Sequence, residues 1–149
     1  MNNLFDTPDA VGLLARLTKL TPNSAPSWGK MNVAQMLAHC QVPLEVAIGE
    51  KKLKRTFIGF LFGNIAKKQL TNDKPFGKSM PTDPSFVVKD ERDFISEFQK
   101  LDLLIKRFNE SDKLAVAARS HPFFGKMTPD QWGILLWKHL DHHLRQFGA

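Results

Sequence analysis

A chain of 149 residues, 42% of them hydrophobic, suits one domain with one substantial core and leaves too little for two. The single cysteine rules out an internal disulfide and fits the cytoplasm. The start MNNLFDTPDA has neither a basic head nor an apolar signal core, and the aromatic patch from Phe57 to Phe62 is broken by Gly59, so neither a leader nor a membrane span is expected. The net charge of +6 is concentrated in one place: eight lysines and arginines between Lys51 and Lys78 face Asp73 alone.

Taken in order, Thr7-Pro8-Asp9 has the cap, proline and acid of a helix start, and Val11, Leu13, Leu14, Leu17 and Leu20 form an amphipathic first helix ending at Thr21-Pro22. The following loop, TPNSAPSWGK, is rich in Pro and Ser, and Trp28 is expected to anchor it against the core. Asn32 then caps a second helix, VAQMLAHCQVPLEVAIG, closed by Gly49. That helix is apolar nearly all round, which marks it as the central element, and His39 lies inside its apolar surface. Pro43 offers no N–H to the carbonyl of His39, so a loosened turn is expected beside this histidine. Cys40 belongs to the opposite apolar face and reads as core.

A short amphipathic piece, roughly Phe57 to Leu70, and the loop TNDKPFGKSMPTDPSF follow. Basic residues interleaved with phenylalanines raise nucleic acid or a membrane surface as partners. A solvated basic edge whose phenylalanines pack on the rest of the fold accounts for the same pattern, and neither partner is expected. Asp90 is placed as the cap of a third long helix, in which Phe94, Phe98, Leu101, Ile105 and Phe108 hold one stripe. Residues 111 to 126 read as a connection, with His121 in a turn or at the surface.

The last stretch carries the chemistry. Thr128, Pro129, Asp130 and Gln131 make a complete helix start with a capping box. At about 100° per residue, Trp132, Leu136, His139, Leu140, His143 and Phe147 share one face, so two imidazoles stand where leucines belong. Lys138, Asp141 and Arg145 fall opposite, on what should be a solvated face. Unpartnered imidazoles on a buried stripe would each cost roughly 1–3 kcal/mol, and a divalent transition metal bridging positions i and i+4 removes that cost. A zinc-peptidase signature would need Glu directly after the first histidine; here that residue is Leu140.

Four long amphipathic helices imply an all-α fold, a four-helix bundle with an irregular basic insertion between its second and third helices. If the second and fourth helices face each other, His39, His139 and His143 form a three-histidine set that leaves one tetrahedral position open. Gln35 and His142 lie near the set, and neither qualifies as a general base. His142 reads as a rim residue.

The helix WGKMNVAQMLAHC together with the ending HPFFGKMTPDQWGILLWKHLDHHLRQFG resembles the DinB/YfiT-type metalloenzymes, over nearly the whole chain. The resemblance implies an up-down-down-up bundle and a divalent metal, zinc or nickel foremost, on His39, His139 and His143. It also implies activation of a thiol or a water, as in thiol S-transferases and hydrolase-like relatives, a small-molecule substrate such as a low-molecular-weight thiol, and homodimers paired through helices. The rival readings are a binding module using the basic segment 51–78 and a metal-stabilised structural or dimerising bundle.

Overall fold

Capping chemistry starts the two helices that matter most. In the computed structural model, which describes residues 1–54, 57, 59, 61, 63, 67, 74–78 and 84–149, Asn32 and Gln35 form a full capping box at the head of α2 (Val33–Ile48). Thr128 and Gln131 do the same for α5 (Pro129–Gln146). Gly49 closes α2 in the left-handed region at φ 86°, a conformation only glycine adopts cheaply. Pro43 sits inside α2, which continues through it.

Three further helices have both ends among the described residues: α1 (Thr7–Leu17), α3 (Phe94–Asn109) and the short α4 (Lys113–Ala117). A 3-10 turn spans Pro84–Phe86, and β1 (Ser120–His121) pairs antiparallel with β2 (Gly125–Lys126). The protein is thus mostly helical. Three boundaries differ from expectation. Asp6, not Thr7, precedes α1, which puts Pro8 at the second helical position, still in the turn whose N–H groups have no partner within the helix. That helix also stops at Leu17, and Leu20 reaches the core from the turn beyond it. Asp93 rather than Asp90 caps α3, accepting from the Ser96 N–H at 2.8 Å. The piece expected from Phe57 to Leu70 lies largely outside the described residues, although Phe57, Gly59, Leu61, Gly63 and Lys67 are helical.

Helix α2 packs on α3, α5, α4 and the 3-10 turn, while α1 closes against α3 and α5. As its all-round apolarity predicts, α2 is buried at nearly every position from Val33 to Ala47. One hydrophobic cluster joins Leu13, Leu37, Leu44, Ile105, Phe108, Trp132 and Leu136 from α1, α2, α3 and α5. The N-terminal segment is bound to α5 as well: the Leu4 N–H donates to the Gly133 carbonyl at 3.0 Å. A Cβ at Gly133 would overlap Asn3 Oδ1, so glycine there makes the close approach feasible. No helix among the described residues is long and apolar enough to cross a membrane.

Candidate metal centre

Packing of α2 on α5 brings His39, His139 and His143 together. One ring nitrogen from each lies within 4.8 Å of the others, and the ring centroids are 4.7 to 4.9 Å apart. His39 and His143 are buried at 3% and 7% exposure, whereas His139 keeps partial exposure.

Hydrogen bonds decide which nitrogens face the centre. His39 Nδ1 lies 2.8 Å from the Phe86 carbonyl. A carbonyl only accepts, so Nδ1 carries the proton and Nε2 keeps its lone pair. His143 Nδ1 donates to Gln146 Oε1 at 2.8 Å, which leaves its Nε2 in the same state. His139 Nε2 stands 3.0 Å from His39 Nε2, a contact that needs either a proton on His139 Nε2 or a cation shared between two lone pairs. The Nδ1 of His139 is buried without a hydrogen-bond partner.

Burial sets the charge state. Desolvation is the leading cause in each case. It pushes His143 down to about 3, His139 well below the ordinary value and His39 below it too, against the Phe86 carbonyl, which favours its protonated form. The neighbouring imidazoles add to the depression of His139 and His143. All three are neutral near pH 7, the form a metal ligates without having to displace a proton. Nitrogen ligands at about 2.0–2.1 Å from a tetrahedral zinc are roughly 3.3–3.4 Å apart. The observed separations, from 3.0 Å up to 4.8 Å, lie around that value. The donor set fits a divalent transition metal.

Around the triad the structure adds contacts that the sequence does not show. Trp28 lies at the rim: its indole meets the His142 ring edge-on at 5.6 Å, and its carbonyl accepts from Gln146 Nε2 at 2.6 Å. Lys78 Nζ sits 4.7 Å from the centre of the Trp28 ring. His142 is half-buried, its ring 5.0 Å from that of His143. Desolvation lowers its pKa, and a hydrogen bond to the Phe76 carbonyl opposes the shift. These contacts are long-range and partly to backbone, and no helical period announces them. Gln35 is taken up by its capping box and by the Asp90 carbonyl. Cys40 is outside the cluster; its thiol points at Met36 Sδ, 3.7 Å away, and burial raises its pKa.

Two expectations fail here. Lys138 and Asp141 are buried, at 6% and 4% exposure: Arg16 of α1 covers Asp141, and the Lys138 ammonium lies over the Phe76 ring, 5.8 Å from its centre. Asp141 is bonded to Arg16 at 2.7 Å and to Arg145 at 3.0 Å. His121 is neither in the turn nor at the surface: it ends β1, just before the hairpin turn. It is 5% exposed, its Nδ1 accepts from the Phe123 and Phe124 N–H groups, and its ring packs against Trp132. The hairpin of β1 and β2 folds it inward.

Residues 4–149 match the family model described as "Protein of unknown function (DUF1569)", and the chain belongs to that family. No curated protein and no solved structure matches it.

Proposed function

We propose that this DUF1569 chain is a metal-dependent enzyme of the DinB/YfiT-like kind, a single cytoplasmic four-helix-bundle domain whose His39, His139 and His143 hold zinc or nickel. The observation that carries the reading is the convergence of three neutral imidazoles from two helices, two of them with Nδ1–H committed outward and Nε2 left as donor. The packing of α1, α2, α3 and α5 around one core supports the bundle. The motifs WGKMNVAQMLAHC and KHLDHHLRQFG support the kinship.

Three protein ligands leave one of four tetrahedral positions for water or substrate, the pattern of a catalytic rather than a closed structural site. When bound, the metal lowers the pKa of a coordinated thiol or water, so that the nucleophile is available at neutral pH. The chain's own part is orientation and exclusion. Phe86 and Gln146 fix two rings, and burial of the three imidazoles keeps bulk water from them. The substrate is a small molecule, a low-molecular-weight thiol or a hydrolysable ester. Asp141 is engaged by two arginines and no carboxylate joins the triad among the described residues, which disfavours peptidase chemistry. Pairing of two copies belongs to the same proposal, and the exposed Ile95 and Leu103 of α3 offer apolar surface for it.

The test is turnover of a thiol with an electrophile, and of activated esters, by zinc- or nickel-loaded protein beside the same protein stripped by chelator. Turnover that vanishes on stripping and returns on reloading supports the proposal. Loaded protein inert toward both classes defeats the catalytic reading and leaves a metal-stabilised bundle.

A further inference from the structure

The last turn of α5 ends in a buried carboxamide, Gln146, 3% exposed. Its two ends face partners of opposite character. One end lies 2.6 Å from the Trp28 carbonyl oxygen. That oxygen can only accept, so this end is the NH2 group. The other end is then the carbonyl oxygen, 2.8 Å from His143 Nδ1. Nδ1 must carry the proton, and the lone pair belongs to Nε2. The orientation of one amide thus determines the tautomer of one imidazole.

The amide is itself held in place. The Ser27 N–H donates to the Gln146 backbone carbonyl at 2.7 Å. Gly29 adopts φ 84°, and a Cβ there would run into Gln146 Nε2, so a glycine at this point makes room for the carboxamide. The loop before α2 is therefore clipped to the end of α5 at two points. The other fixed ring, His39, is oriented by a backbone carbonyl that no substitution removes. His143 is oriented by a side chain, which a substitution can remove.

We propose that Gln146 is a positioning residue of the metal centre, holding His143 in the Nδ1–H tautomer with Nε2 turned to the metal and tying the Ser27–Gly29 loop to that ligand through Trp28. The proposal rests on the three-histidine reading of the site. Partners of this kind fix ring orientation and raise ligand basicity, and losing one weakens metal affinity by about 10–100-fold.

Two readouts on the full-length chain test it. In the metal-free protein, imidazole nitrogen NMR should show His143 protonated at Nδ1 and bare at Nε2, and Gln146→Met, close in volume but with only a weakly accepting thioether, should mix the tautomers. In a chelator competition, zinc should bind Gln146→Met about 10–100-fold more weakly, and Gln146→Glu, whose carboxylate accepts the same proton but cannot donate to the Trp28 carbonyl, should recover part of the loss. An Nε2–H tautomer in the metal-free parent overturns the assignment even if Gln146→Met fails to fold. So does zinc affinity in Gln146→Met equal to that of a zinc-binding parent. A parent that binds no zinc removes the three-histidine centre itself, a result distinct from either.

Discussion

A histidine kept neutral by burial makes stability depend on pH. His39, His139 and His143 all have folded pKa values below the ordinary 6.5, His143 down to about 3, with desolvation as first cause. Below about 6.5 the unfolded chain takes up protons that the folded chain refuses, so the stability of the metal-free protein is fully present above that pH and is lost on acidification. Each such histidine contributes a slope of up to about 1.4 kcal/mol per pH unit within its window. Urea unfolding of metal-free protein should give a midpoint that falls between pH 7 and pH 5, and the fall should be shallower in a His139→Ala, His143→Ala double variant. Equal slopes in the two proteins would contradict the burial account. The imidazoles themselves are legible in the sequence, because a polar group in the middle of an apolar stripe stands out against its period. Gln146 and Trp28 are not: the first, although one turn from His143, looks like an ordinary polar residue near a helix end, and the second reads as a loop anchor, because the bond that joins the two spans 118 residues of chain.

Caps and stripes made α2 and α5 readable as elements, since both capping boxes stand where Ser/Thr/Asn and Gln spacing puts them. The cap of α3 moved three residues along because Asp90 and Asp93 are both competent, and the chain uses the one nearer the start of the apolar stripe. Helix α4 and the hairpin were unreadable because five-residue and two-residue elements are too short to show a period. The polar side of α5 misled for a different reason: a helical wheel shows charge but not what lies across from it. There Asp141 receives Arg16 from α1 and Arg145 from its own helix, and Arg16 also reaches the Ala149 carbonyl at 3.0 Å. Asp141→Ala would leave the largely buried Arg16 guanidinium without its carboxylate, at a cost on the order of 2 kcal/mol in urea unfolding. Zinc affinity should hardly change, because the carboxylate faces α1 and not the triad. An unchanged unfolding midpoint would show that the pair does not clamp α1 to α5.

On the scale of the whole molecule, the central helix and the C-terminal helix meet along a buried seam, and the fold spends part of that seam on three imidazoles that apolar side chains could have filled. The helical class follows from the apolarity of one and the stripe of the other, whereas their meeting is only a condition in the sequence and is supplied by the packing of α2 on α5. What encloses the site, from the Phe86 carbonyl to the Trp28 loop, comes from connecting segments whose paths no periodicity encodes. The most direct test of the account is metal content by elemental analysis, on untagged protein reconstituted with zinc and with nickel, beside His39→Ala and the His139→Ala, His143→Ala double variant. The account predicts close to one metal ion per chain in the parent and its loss in both variants. A parent that remains metal-free after reconstitution, or variants that hold metal as tightly as the parent, would contradict it.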